Sequence, residues 1–185
     1  MRILAIALLA LATIAGPNHD VLGQRFHLDG PKPATLDALI NHSSQIIEAT
    51  VESSFPAIDR GAGPLMSDFL IRVDRVVKGA LASKQILVHQ YGGTLGGLVS
   101  EPAFYSMMQP GERYIVFLRD SDSAAFTASL PTRSVPRYFP SVDYYSFAKI
   151  EGGQIVWSKG MPDAWKGNYA MQPAQLITFI QSRGR

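Results

Sequence analysis

The sequence contains no cysteine among its 185 residues. This absence excludes disulfide bonds, thiolate metal sites and a thiol nucleophile. Small exported domains often depend on disulfides for their stability. A chain of this length can instead bury enough apolar surface to be stable through its core alone, so we expect a packed hydrophobic core.

A strong excess of one charge is also missing. Seventeen Lys and Arg residues stand against 15 Asp and Glu residues, for a formal net charge of +2. Proteins that bind nucleic acids need basic side chains clustered on one face. The scattered basic residues of this chain therefore argue against a nucleic-acid partner, and we find no repeat of fixed period.

Long hydrophobic runs are limited to the start of the chain. Arg2 is followed by the apolar stretch from Ile3 to Ala12, and Gly16 and Pro17 end the run before it reaches the roughly 20 residues of a membrane-spanning helix. A basic start, a short apolar stretch and small residues at its end are typical of a secretory signal peptide. We predict a signal peptide over residues 1–15 that is cleaved after Ala15, with a second possible site at Ala10 or Ala12. The product is expected in the periplasm or outside the cell, with no stable membrane insertion.

Roughly 170 residues remain after cleavage, a size typical of one domain. Residues 16–33 are rich in Pro and Gly and are predicted to form an irregular lead-in. Residues 34–185 are assigned to a single domain.

Within that domain, a short helix is predicted over 35–43, with Thr35 as its cap. Ile47, Ala49 and Val51 alternate with polar residues and indicate a strand. Residues 53–66 are interpreted as a connection, and 67–79 as a long strand in which the apolar alternation slips by one position. An extra residue near Asp74 would restore the alternation, which predicts a β-bulge.

The second half of the domain alternates strands with turn signals. We predict strands at 85–91, 113–119, 144–150 and 155–157, a type II turn over 109–112, a long loop over 120–142, a hairpin turn over 151–154 and a C-terminal helix from Pro173 with a buried stripe. The predicted fold is mainly β, a five- to six-stranded antiparallel barrel of the oligonucleotide/oligosaccharide-binding (OB) type, with one short helix before its first strand and one C-terminal helix. A two-sheet sandwich is the alternative.

Three segments carry a family resemblance: Ile46–Val51, Phe69–Gly79 with its terminal Lys-Gly, and Gly111–Leu118 with its Gly-Glu-Arg-Tyr turn. They resemble a group of exported, mostly uncharacterised bacterial proteins that looks like the netrin-like barrel of tissue inhibitors of metalloproteinases. The resemblance covers about residues 40 to 155 and implies an OB-type barrel. In those inhibitors an amino-terminal cysteine meets the protease zinc. Because this chain has no cysteine, that mechanism does not transfer to it.

Several residues match catalytic or metal-binding patterns only superficially. His19, His27, His42 and His89 lack the short spacings of metal ligands, and His89 is predicted to be a hydrogen-bonded core residue. Ser146 and Lys149 match a Ser-x-x-Lys motif but fall in a predicted strand, where they would point to opposite faces. The loop Gly92–Gly97 lacks the Lys of a phosphate-binding loop and is interpreted as a flexible connection. No metal or cofactor is predicted.

Aromatic residues offer the most suggestive surface. Tyr138, Phe139, Tyr144 and Tyr145 are the candidate binding residues, and Arg133 and Arg137 lie close to them in the sequence. Aromatic rings provide large contact areas at binding faces of barrels. We therefore expect an exported, non-enzymatic binding or protein-interaction module whose partner is an envelope or secreted protein.

Two other functions remain open at this point. One is a protease inhibitor that acts through its N-terminal segment or its loops. The other is a hydrolase in which Asp68, Glu101 and Asp143 gather.

The predicted signal peptide gives a prediction about the N-terminus of the exported protein. When the full chain is expressed in its own cells, the product in the periplasm or culture medium should begin at Gly16, because the small residues Thr13 and Ala15 suit the signal peptidase. N-terminal sequencing and intact mass of that fraction measure this directly. A cytosolic product that keeps Met1 would contradict the prediction.

Overall fold

A computed structural model describes residues 33–58, 65–100, 107–120, 135–158, 161, 165 and 170–183. The predicted signal peptide and nearly all of the predicted lead-in fall outside these residues. Strands make up 53% of the described residues. The helices are α1 (Leu36–His42) and α2 (Pro173–Arg183), and the strands are β1 (Gln45–Ile58), β2 (Leu65–Lys78), β3 (Gln85–Tyr91), β4 (Gly93–Leu95), β5 (Leu98–Ser100), β6 (Arg113–Asp120), β7 (Arg137–Pro140), β8 (Phe147–Glu151) and β9 (Gln154–Trp157).

Five of these strands close into a barrel. The main sheet has the order β1-β2-β3-β7-β6-β8-β9, and a further pairing of β1 with β6 closes the ring β1-β2-β3-β7-β6. The predicted barrel and its two flanking helices are therefore confirmed. Strands β4 and β5 form a separate hairpin. No described helix is long and apolar enough to cross a membrane.

One pair in the ring differs from the predicted antiparallel arrangement. Strands β3 and β7 are parallel, whereas the other four pairs of the ring are antiparallel. The reason is geometrical, because strand directions cannot alternate all the way around a ring with an odd number of strands. A five-stranded ring must contain a parallel seam.

The bulge predicted in the long strand is confirmed. Glu48 pairs with Arg75 and Ala49 pairs with Val73, so Asp74 is the extra residue. A second irregularity leaves Val77 unpaired in β2, and a third leaves Glu52 unpaired in β1. Bulges bend and twist a strand, which lets β1 pair with β2 along its length and with β6 along its first half.

The connection predicted over 53–66 is wrong in extent, because β1 continues to Ile58 and β2 begins at Leu65. Pro56 suggested a loop at the sequence level. Beyond Val51, however, β1 pairs with β2 alone among the described strands and is an edge strand there. A sheet tolerates proline at such a position.

Two hydrophobic cores lie on opposite sides of the barrel wall. The inner core fills the barrel and includes Val51, Phe69, Ile71, Val88, Val116 and Leu118. The outer core lies between the wall and the two helices and includes Leu39, Ile46, Phe117, Trp157, Leu176 and Ile180. Strand β6 alternates between them, with Val116 inside and Phe117 outside, as its unbroken apolar run predicted.

The Lys-Gly pair at the end of β2 fastens α1 to the barrel. The Lys78 Nζ donates hydrogen bonds to the carbonyl oxygens of Ile40 (2.6 Å) and Ser43 (2.8 Å), at the end of α1. The last carbonyls of a helix lack partners within it. Gly79 has φ +84°, and a Cβ there would lie 2.6 Å from the Ser44 carbonyl oxygen. Lys78 and Gly79 therefore both hold the end of α1 close to the end of β2.

The turn and loop predictions agree with the structure in part. The loop predicted over 120–142 contains β7, and the connection predicted over Gly92–Gly97 contains β4. Gly111 has φ +86° and the Glu112 amide donates to the Gln109 carbonyl at 3.1 Å, as a type II turn requires. The strand predicted over 144–150 starts only at Phe147, because Asp143–Ser146 form a 3₁₀ turn. The Ser146 Oγ accepts a hydrogen bond from the Val142 amide at 2.8 Å and holds that turn.

Gly79 and Gly111 form a matched pair for testing the junction. Both have nearly the same positive φ, but an added Cβ meets nothing within 4 Å at Gly111. We expect Gly111→Ala to cost about 1 kcal/mol of unfolding free energy from backbone strain alone. Gly79→Ala should cost about 2 kcal/mol or more, because Ser44 must also move. Urea denaturation of both variants measures the difference, and equal losses would contradict a steric role for the junction.

Candidate functional site

A row of four side chains crosses four neighbouring strands on the outer side of the barrel. Phe55 of β1 lies opposite Asp68 of β2, and Asp68 lies opposite His89 of β3. Residues directly opposite each other in a sheet project from the same face. Phe139 of β7 continues the row, because its ring meets the imidazole of His89 edge-on with 5.4 Å between ring centroids. We call these four residues the polar row.

The centre of the polar row is a buried ionic cluster. The His89 Nδ1 lies 2.6 Å from Asp68 Oδ1, and the Arg137 guanidinium donates to Asp68 Oδ2 at 2.9 Å. The side chains of Asp68 and His89 are 0% and 1% exposed, whereas that of Arg137 is 17% exposed. A buried carboxylate is costly unless it is paired. Here each oxygen of Asp68 has its own partner.

Strand alternation places these groups together. Met66, Asp68 and Leu70 share one face of β2, and Leu87, His89 and Tyr91 share the matching face of β3, since side chains two apart project from the same side. Arg137 and Phe139 share a face of β7 for the same reason. The Arg137 side chain reaches over β3 to contact β2.

The sequence predicted part of this arrangement. The interpretation of His89 as a hydrogen-bonded core histidine is confirmed, because it is 2% exposed and contacts Asp68. The ionic cluster itself was missed. A usable signal was present, however, since Asp68 and His89 each stand between two apolar neighbours at the i−2 and i+2 positions.

The side chains of three aromatic candidates, Tyr138, Phe139 and Tyr145, are described, and these three do not share one face. Phe139 lies on the outer face with the polar row, whereas Tyr138 points to the inner face and packs against the inner core. Burial, together with the charge of Asp120, raises the pKa of Tyr138. Tyr145 is 4% exposed and packs against Trp165 in the outer core. The side chain of Tyr144 and all of Arg133 lie outside the described residues.

The aromatic rings on the outer face are two members of the polar row, Phe55 and Phe139, and one neighbour of the row, Tyr91. Phe55 and Phe139 are both half-buried, and so is Tyr91, which shares the face of His89. These three rings surround the buried ionic cluster on β1, β3 and β7. The outer face of β2, β3, β7 and the end of β1 around Phe55 therefore presents partly exposed aromatic rings beside a fixed polar support.

The inner face behind the row also carries polar groups. Ser67 and Gln90 lie opposite each other and are 5% and 1% exposed. The Ser67 hydroxyl donates to the Gly92 carbonyl at 2.8 Å. Neither Gln90 Oε1 nor Gln90 Nε2 has a hydrogen-bond partner in the part of the chain that the structure describes.

The Ser-x-x-Lys pair is not assembled as a nucleophile. The Ser146 hydroxyl accepts the hydrogen bond from the Val142 amide, whereas the Lys149 ammonium lies 2.7 Å from Glu112 Oε1 and 3.2 Å from Glu151 Oε1. Lys149 thus belongs to a second polar group at the start of β6. The Glu112 carboxylate also accepts hydrogen bonds from the Tyr114 hydroxyl (2.5 Å) and the Gln109 amide (2.9 Å).

In this second group, the pKa values of Glu112 and Tyr114 are shifted from their ordinary values. Burial alone would raise the pKa of Glu112, but hydrogen bonds from Lys149, Tyr114 and the Gln109 amide together lower that pKa below its ordinary value. Burial, and then the neighbouring Glu112, raise the pKa of Tyr114. The group fixes the turn that precedes β6.

A metal site is not formed by the described residues, since no three of their His, Asp and Glu side chains come close enough to hold an ion. Of the histidines considered above, His42 is exposed at the end of α1. His19, His27 and Glu101 fall outside the described residues, as does the side chain of Asp143. The gathering of Asp68 with Glu101 and Asp143 therefore stays a hypothesis.

Comparison of the chain with protein-family models, with curated proteins and with solved structures found no match.

The hydrogen bonds of Glu112 predict how the stability of the fold depends on pH. Because the folded-state pKa of Glu112 is lowered, its carboxylate stabilises the fold above its unfolded-state pKa, and this stabilisation is lost as the pH falls through the folded-state value. We expect Glu112→Gln to lose about 1 kcal/mol of unfolding free energy at pH 7, with a difference from wild type that shrinks below about pH 4.

Urea denaturation across pH 3 to 7 measures this dependence. Glu151→Gln is the matched control, because its side chain is 61% exposed, and we expect it to change little. A Glu112→Gln deficit that stays constant down to pH 3 would contradict the assignment.

Proposed function

We propose that this protein is an exported, non-enzymatic binding module, and that it binds its partner on the outer face of β2, β3, β7 and the end of β1 around Phe55. The observation that carries the proposal is the polar row with its half-buried aromatic rings. We further propose that it acts in the periplasm or outside the cell, where the predicted signal peptide would direct it, on an envelope or secreted protein.

The architecture favours this face over the opposite one. Helices α1 and α2 pack over β1, β6 and the end of β2 at Val77 through the outer core, so that side of the wall is occupied. The barrel interior is filled by the inner core. Barrels of the OB type bind along the side of their second and third strands and the adjoining loops, which here is the side of the polar row.

The rings on this face are held in place before any partner arrives. Phe139 rests edge-on against His89, and His89 is fixed by Asp68. A contact surface that is already ordered loses less conformational entropy on binding. Aromatic side chains on such support contribute a large part of the free energy at many protein interfaces.

The test compares three single variants of the mature protein. Phe55→Ala and Phe139→Ala remove half-buried rings from the proposed face, and Phe179→Ala removes a half-buried ring from α2 on the other side of the molecule. Each protein is immobilised and cross-linked to the partners it binds in an envelope fraction prepared from the cells that naturally produce it. The partner found is then purified and titrated against all three variants by calorimetry.

We expect Phe55→Ala and Phe139→Ala each to weaken binding about 10-fold or more, and Phe179→Ala to bind like wild type. Circular dichroism and urea denaturation confirm that each variant is folded. Equal affinity of all three variants, or no saturable binding by the wild type, would contradict the proposal.

A protease inhibitor is the alternative, and the β4–β5 hairpin favours it. Its tip residues Gly96 and Gly97 have φ values of +56° and +85°, no atom of the described residues lies within 4 Å of a Cβ built on either, and Val99 is 63% exposed. A projecting loop of this kind can enter the cleft of a protease. No inhibition of a panel of metalloproteases and serine proteases at micromolar concentration would remove this alternative. Inhibition that Val99→Asp abolishes would establish it.

A further inference from the structure

Strand β7 is held in the barrel by few backbone hydrogen bonds. Pro136 precedes it and Pro140 ends it, so only Arg137, Tyr138 and Phe139 carry amide hydrogens. The parallel seam between β3 and β7 consists of two residue pairs, and the antiparallel seam between β6 and β7 of three. One flanking backbone hydrogen bond supports each seam, from the Leu87 amide to the Pro136 carbonyl (2.8 Å) and from the Ser141 amide to the Phe117 carbonyl (2.9 Å). By comparison, β2 and β3 share seven pairs.

A side-chain contact reinforces this short strand. Arg137 donates to the fully buried carboxylate of Asp68, two strands away. If β7 moved outward, Arg137 would leave with it, and Asp68 would lose one of its two partners. Removing one partner of a buried ion pair is strongly unfavourable. The contact therefore opposes the release of β7 more than its five residue pairs alone would.

The remainder of the barrel does not need β7 for its connectivity. Without β7, the pairing of β1 with β6 still joins the other strands into a continuous sheet of order β3-β2-β1-β6-β8-β9. Two β7 residues lie on the inner side: Tyr138, which is half-buried and packs against the inner core, and Pro140, which is buried opposite Leu118. The other inner-core residues named above belong to β1, β2, β3 and β6. The loss of β7 would therefore open the ring without dissolving either core.

We propose that β7 is a releasable strand, that the Asp68–Arg137 ion pair is its latch, and that release opens the barrel at its parallel seam while the remaining sheet stays folded. The latch would also regulate the binding face, because Phe139 leaves the polar row when β7 leaves. This second statement rests on the proposed function. Apparent affinity for the partner would then fall in proportion to the fraction of molecules with β7 in place.

Hydrogen exchange measured by NMR on the full mature protein tests the latch without any partner. The amides of Arg137, Tyr138 and Phe139 report on β7, and those of Ile71, Val88 and Val116 report on the rest of the barrel. Arg137→Met removes the latch and keeps most of the aliphatic side chain. Arg113→Met is the matched control, because Arg113 pairs with Glu48 on the surface and is 52% exposed.

We expect Arg137→Met to speed exchange of the three β7 amides about 10-fold or more relative to the other barrel amides. Arg113→Met should leave this ratio unchanged. The double variant Asp68→Asn/Arg137→Met should restore part of the protection, because a neutral amide replaces the carboxylate that would otherwise be buried without its Arg137 partner. If Arg137→Met alone does not fold, exchange in the double variant is compared with exchange in wild type instead.

Two results would overturn the latch: unchanged exchange in β7, or an equal increase in all barrel amides, which would assign the ion pair to global stability alone. These outcomes are independent of the binding test. If Arg137→Met speeds exchange in β7 but no partner is captured, the latch is retained and the proposed function is rejected. Intact binding by Phe55→Ala and Phe139→Ala would likewise leave the latch standing.

Discussion

The odd number of strands in the ring is the constraint on which the rest of the structure depends. Four antiparallel pairs leave the fifth pair parallel, and parallel pairing is slightly less stable per residue. That weaker seam falls between β3 and β7, where only two residue pairs form. The buried ionic cluster lies beside this seam and joins β2, β3 and β7 through side chains.

Local patterns were sufficient for much of the fold. Thr35 marks the start of α1, glycine at positive φ marks the turns, and the slipped alternation at Asp74 marks the bulge, because each depends on a few consecutive residues. Strand lengths were harder to predict. Whether Pro56 ends a strand depends on whether β1 has a neighbour on that side, and this information lies in β6, far away in the sequence.

The candidate site was predictable only in fragments for the same reason. Asp68 and Arg137 are 69 positions apart, and no property of either segment indicates that β7 returns beside β3. The four aromatic candidates lie within eight residues of the sequence, but the three with described side chains diverge: Phe139 lies on the outer face of β7, Tyr138 lies on its inner face, and Tyr145 packs in the outer core. Proximity in sequence did not imply a common surface.

The two-core arrangement has a consequence for spectroscopy. Trp157 and Trp165 are the two tryptophans of the chain, and both belong to the outer core, with their ring centroids 6.1 Å apart. Intrinsic fluorescence therefore reports on the side of the wall beneath the helices and is blind to events at the opposite seam. A tyrosine-based or chemical label near Tyr91 would be needed to make the far side of the molecule visible.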